Sequence, residues 1–140
     1  MAPRPTFNPA RIFLHLDANG KAHRLDTSQK GFWSSLGERE LDGRLVGLVR
    51  MSRNTAWEMH PDGDEVLFLL SGQIDVVLDH GQEEEVITLA AGRMCVVPRN
   101  VWHRQLVREA GDLLFATPGP STEHRGVREH KARRDSSADD

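Results

Sequence analysis

The chain has 140 residues, enough for one domain with one modest hydrophobic core. It is 38% hydrophobic and 28% charged, and its net charge of −3 offers no broad attraction to nucleic acid or to an anionic membrane. The single cysteine excludes an intrachain disulfide framework, and the absence of tyrosine removes any phenolic acid or base.

The first ten residues carry Pro3, Pro5 and Pro9 and read as an extended arm. No apolar run there has signal-peptide length, and none in the chain approaches the roughly 20 residues that span a bilayer, so a cytoplasmic protein is expected. "RIFLHL" reads as a short strand. "TSQKGFWSSLGERE" offers Thr27 or Ser28 as an N-cap and Phe32, Trp33 and Leu36 at helical spacing, which predicts one short helix or turn. "RLVGLVRMS" then opens a series of strand-like runs: "VLFLLSG", "QIDVVLD", "EEVITLA", "MCVVP", "VWHRQLV" and "DLLFATP". Turn signals separate them, "HPDGD", "DHGQE", "AAG", "PRN" and "EAGD" among them. Many short strands and little helix predict an all-β sandwich or barrel. The mixed-charge end, "HRGVREHKARRDSSADD", has one apolar β-branched residue and reads as a solvated, disordered tail.

One stretch of this pattern needs a chemical reason. In "WEMHPDGDEVLFLLSG", Glu58, His60 and Glu65 sit just before and at the start of an apolar strand. Side chains alternate along a strand, so Glu58 and His60 share a face, and Glu65 shares one with Leu67 and Leu69. Downstream, His103 shares a face with Val101, Gln105 and Val107. Antiparallel pairing would bring His103 to the first three and converge two imidazoles and two carboxylates on an apolar interior. Buried charge needs a partner or a metal, and Zn, Fe, Mn and Ni all accept mixed nitrogen and oxygen ligands. Gln105 is a candidate group beside that site. Cys95 reads as buried and structural. Trp57 and Trp102 each precede a site residue and therefore face the other way, toward another layer or a partner subunit. His15, His23, His80, His124 and His130 read as surface or tail, "QEEEV" as a solvated hairpin end, and Asp62 and Asp64 as turn residues.

These residues resemble the cupin superfamily of small β-barrels. Its first motif, G-x5-H-x-H-x(3,4)-E-x6-G, is matched by His60, Glu65 and Gly72. Its second, G-x5-P-x-G-x2-H-x3-N, is matched by Gly92, Pro98 and His103. Ser52, Asn100 and Val107 stand where the motifs have Gly, Gly and Asn, and Asn100 can take the positive φ that a Gly usually serves. Glu58 stands where the family has its first metal-binding His, which would turn a ligand set of three His and one Glu into two of each.

The resemblance implies a cupin-type double-stranded β-helix, or jelly roll, with a short N-terminal helix or turn. Residues 1–44 would supply an arm and first strands, 45–117 the core barrel and 118–140 the tail. It implies a divalent metal (Fe, Mn, Ni or Zn) held by His60, Glu65 and His103, with Glu58 as fourth ligand, as a base beside the metal, or as a solvent-facing strand-end group. The expected function is a metal-dependent enzyme of oxygenase or isomerase/lyase type acting on a small organic substrate. The alternative is a non-catalytic cupin that binds or senses a small ligand. A homodimer, with no nucleic-acid or membrane partner, is the expected assembly.

Overall fold

The computed structural model describes residues 4–119 and 121–138; Pro3 of the arm lies outside them. The strands are β1 (Ile12–Leu16), β2 (Ala22–Asp26), β3 (Arg44–Met51), β4 (Trp57–Met59), β5 (Glu65–Leu69), β6 (Gln73–Asp79), β7 (Glu84–Ala90), β8 (Met94–Val97), β9 (Trp102–Glu109), β10 (Gly111–Pro118) and β11 (Glu123–Arg125). Among the described residues there are also two helices, α1 (Phe32–Glu38) and α2 (Val127–Ala138). The strands form two antiparallel sheets, ordered β2-β1-β3-β10-β5-β8 and β11-β4-β9-β6-β7. The alternating runs predicted an all-β sandwich or barrel, and its jelly-roll form is the one the cupin resemblance implied.

The two sheets face each other across one core. Leu67 and Leu69 of β5, Ile74, Val76 and Leu78 of β6, Cys95 and Val97 of β8 and Leu113 of β10 point into it at every second position, which is strand periodicity made physical. Gly72 turns the chain between β5 and β6 at φ 83°, and a Cβ there would stand 2.5 Å from the Glu109 carbonyl oxygen. Only glycine allows the β5–β6 turn to lie so close to the β9–β10 turn.

Several expectations change. α1 does not begin on Thr27 or Ser28: its N-cap is Gly31, while the Thr27 hydroxyl bonds the Ala10 and Arg11 carbonyls and the Ser28 hydroxyl bonds Asp26. Trp33 of this helix is 60% exposed, its ring packing edge-on against Phe13. β2, "AHRLD", was not anticipated because its polar alternation carries no apolar stripe.

The larger correction is the C-terminal segment, where β11 and α2 replace the expected disorder. α2 is polar on every side, so apolar burial does not hold it. It is pinned by specific pairs. The His130 ring, 4% exposed, stacks on Trp57 at 4.1 Å and 16°, and its Nε2 lies 2.6 Å from Asp79 Oδ2. Arg134 adds ion pairs to Asp79 and Glu84. His130 is therefore a buried anchor, and Trp57, correctly read as outward-facing, is covered by the chain's own helix.

Candidate metal centre

β4 is only three residues long, but its register decides the site. Glu58 lies directly opposite His103 of β9 on one side and His124 of β11 on the other. His60 follows β4 at the head of the Pro61–Gly63 turn. Its carbonyl accepts the N–H of Asn100, which has φ 67°, so the motif-two turn holds the motif-one histidine in place. Asp64 reinforces this joint by accepting the Arg99 N–H at 2.8 Å, a tie beyond the simple turn role expected of it. Glu65 opens β5 and points inward above Leu67.

The structure brings together all four predicted residues: one donor atom each from Glu58, His60, Glu65 and His103 lies within 4.8 Å of all the others. His60, Glu65 and His103 are buried at 2%, 4% and 1% exposure, whereas the Glu58 side chain is 34% exposed and forms the open side. Glu65 bridges the two rings, with Oε1 3.2 Å from His103 Nε2 and Oε2 3.3 Å from His60 Nε2. The first is a hydrogen bond. The second lies near enough for attraction but off the angle of a hydrogen bond, which leaves His60 Nε2 buried without a partner. Glu58 Oε2 stands 3.8 Å from the same nitrogen.

The outer atoms of the site are fixed from behind. His103 Nδ1 faces the Val101 carbonyl at 3.3 Å. A carbonyl only accepts, so that nitrogen carries a proton, and the inward Nε2 carries a second one with which it donates to Glu65 Oε1. His60 Nδ1 lies 2.9 Å from Thr122 Oγ1. Thr117 of β10 donates to Glu65 Oε2 at 2.5 Å. Burial pushes the Glu65 carboxyl up, but the His103 hydrogen bond and the nearness of His60 outweigh it and bring it down to about 2. Burial likewise depresses His103, and its contact with Glu65 overcomes that and raises it.

The donor set fits a divalent ion. With bonds of about 2.0–2.2 Å, donors on one ion lie no more than about 4.4 Å apart, so small side-chain shifts close the observed set. Two carboxylates neutralise a divalent charge, and the inward Nε2 atoms of two imidazoles, that of His60 without a partner and that of His103 once it gives up the proton it shares with Glu65, complete the ligands.

Other predicted residues sit beside this group. Gln105 is buried one pleat further along β9, and no hydrogen bond joins its side chain to the four among the described residues. Cys95 is buried opposite Leu67. Burial pushes its thiol up, with Glu65 adding to the effect, which suits packing rather than nucleophilic work. Sequence reasoning missed Thr117, Thr122 and His124, whose Nδ1 stands 3.5 Å from Glu58 Oε1. They lie beyond both motifs and nothing local marks them. A groove of about 1310 Å³ runs beside α2 past Trp102 and Arg125, on the outer face of the sheet, away from the four residues. Donor chemistry rather than cavity size therefore marks the centre. No helix among the described residues is long and apolar enough to cross a membrane.

Comparison with known proteins identifies the family and the fold. A family described as Cupin domain matches residues 48–107. Among solved structures, the chain is similar to a cupin-2 domain containing protein from Shewanella frigidimarina, with 26% identity over 58% of this chain and 78% of that one and a TM-score of 0.48. It is similar to an oxalate oxidase in complex with the substrate analogue glycolate, with 21% identity over 59% and 46% of the two chains and a TM-score of 0.50. It is also similar to an oxalate decarboxylase of Bacillus subtilis with Mn(II) centres, with 15% identity over 60% and 24% and a TM-score of 0.52. The last two likenesses concern the fold alone. No curated protein matches the chain.

Proposed function

On the premise that the chain is a member of the cupin superfamily, with its cupin domain at residues 48–107, we propose that it is a metal-dependent enzyme acting on a small organic substrate that chelates through oxygen. The observation that carries this reading is His60 Nε2, buried without a partner between two carboxylates. An unsatisfied buried nitrogen costs about 1–3 kcal/mol, and a bound cation removes that cost.

His60, Glu65 and His103 would hold the ion, a two-histidine, one-carboxylate set of the kind used by non-haem iron. The ion would supply Lewis acidity to a bound oxygen atom, or dioxygen chemistry if it is iron. The remaining work belongs to the chain. Thr117 keeps Glu65 Oε2 oriented, and apolar Leu67 and Leu69 behind the site keep water from its inner side. Glu58 is the carboxylate an entering substrate meets, either as fourth ligand or as the group that takes a proton at an oxygen of its carboxylate. The oxygenase and isomerase/lyase classes both fit this arrangement.

Elemental analysis of protein purified without an affinity tag tests the reading. One divalent ion per chain is expected, with most of it lost in His60→Ala and in His103→Ala. Unchanged metal content in both variants would overturn the assignment.

A further inference from the structure

We infer that Thr122 is a positioning residue for the metal centre, and that the C-terminal segment acts as a strap holding its hydroxyl behind His60 so that Nε2 presents a lone pair inward. This rests on the metal-binding reading above and adds a part of the chain that the cupin domain, residues 48–107, does not contain.

The two histidines are constrained differently. The Val101 carbonyl behind His103 can only accept, so the backbone keeps a proton on the outer nitrogen of that ring, and the proton that Nε2 donates to Glu65 is the one a cation would displace. Among the described residues no carbonyl stands behind His60. Its Nδ1 faces the Thr122 hydroxyl at 2.9 Å, a group that both donates and accepts. On the inner side, Glu65 Oε2 at 3.3 Å and Glu58 Oε2 at 3.8 Å both attract a proton to Nε2. That tautomer is the wrong one for a ligand, because its inward nitrogen has no lone pair to give. The Thr122 oxygen offers the competing place: when Nδ1–H donates to it, Nε2 is left free. Without the hydroxyl, the two carboxylates have no opponent.

The hydroxyl is held where it is by contacts that do not involve His60. Just before it, the Ser121 N–H donates to Asp62 Oδ2 at 2.9 Å. Just after it, β11 pairs with β4 in the register Glu123↔Met59, His124↔Glu58 and Arg125↔Trp57. Beyond that, His130 anchors α2 on Trp57 and Asp79. Thr122 is thus tied on both sides, so its oxygen is pre-placed, which is what makes outer partners of metal-bound histidines effective.

The test uses the full chain and Zn²⁺ alone, titrated against a competing chelator, on the wild type, Thr122→Val and Thr122→Ser. Thr122→Val should bind Zn²⁺ about 10–100-fold more weakly, and Thr122→Ser, which keeps the hydroxyl, should bind within about threefold of wild type. Nitrogen-15 shifts of the His60 ring before Zn²⁺ addition give a second readout that general destabilisation does not mimic. They should report Nδ1–H in the wild type and a shift toward Nε2–H in Thr122→Val. Equal Zn²⁺ affinity in wild type and Thr122→Val would overturn this inference and leave the metal reading standing, whereas no Zn²⁺ bound by the wild type would overturn the metal reading itself. If Thr122→Val fails to fold, two results remain decisive: weak binding by a folded Thr122→Ser, or an Nε2–H tautomer in the wild type, would each overturn the role of the hydroxyl.

Discussion

Replacing His130 with Ala should destabilise the protein far more than its place in a charged C-terminal run suggests. The His130 ring lies parallel to Trp57 at 4.1 Å, and ring pairs of this kind contribute about 0.5–1.5 kcal/mol beyond burial. Its Nε2–H donates to the Asp79 carboxylate at 2.6 Å, and a hydrogen bond to a charged group is worth about 1.5–3 kcal/mol. Asp79 keeps the Gly81 N–H and Arg134, so its charge is not left bare, and the sum comes to about 2–4.5 kcal/mol. At about 3 °C per kcal/mol for a chain of this size, Tm should fall by about 6–13 °C. Truncation after Gly126 should cost little more, because a helix that is polar all round has few other ties. The assay is thermal unfolding followed by circular dichroism, with urea denaturation for the free energy. A Tm within about 1 °C of wild type for His130→Ala would show that α2 is not docked in solution and would remove the anchor from the argument.

Three further outcomes are expected. Glu58→His restores the family's usual residue: if Glu58 is a ligand, competition among Mn, Fe, Ni and Zn should shift toward nitrogen-preferring ions, and if it is a base, preference should hold while turnover falls; no change in either would exclude both roles. Burial pushes Asp79 up, but the Gly81 N–H, His130 and Arg134 together hold it below the ordinary carboxylate value, so the stability it contributes is present above about pH 4 and lost as pH falls through its folded value. Tryptophan fluorescence should therefore report loosening of α2 below about pH 4 in the wild type but not in Asp79→Asn, and coincident profiles would refute that origin. We propose a homodimer, now through the exposed edge strand β8 with its outward Met94 and Val96 rather than through Trp57, which α2 covers; a monomer by light scattering at micromolar concentration would refute it.

What could be read in advance divides along a physical line. His60, Glu65 and His103 were legible because strand alternation is strictly two-fold, so short spacings decide which side chains share a face. Asn100 was legible through the resemblance, because it stands where the cupin motif has Gly and Asn is among the few residues that accept positive φ; it takes φ 67°. The strap was not legible. His130 and Arg134 hold α2 by matching particular carboxylates of β6 and β7, and pairings between distant residues leave no period or composition behind. The disorder reading counted apolar surface only, and α2 is an element that orders without it. Thr122 was missed for a related reason: a lone hydroxyl becomes informative only when the ring it faces is known.

The centre's contacts also join very distant parts of the chain: His103 to Glu65 across 38 positions, and His60 to Thr122 across 62. None of these groups can meet until both sheets have closed, so the site is a late product of folding and has no counterpart in the unfolded polypeptide. A cation bound there would act chiefly as a brake on opening, lengthening the lifetime of the native state without hastening its arrival. At a hundredfold excess over Kd that added about 2.7 kcal/mol of protection would appear as slower proteolysis and slower hydrogen exchange in β4, β5 and β9 together, three strands fastened by one ion.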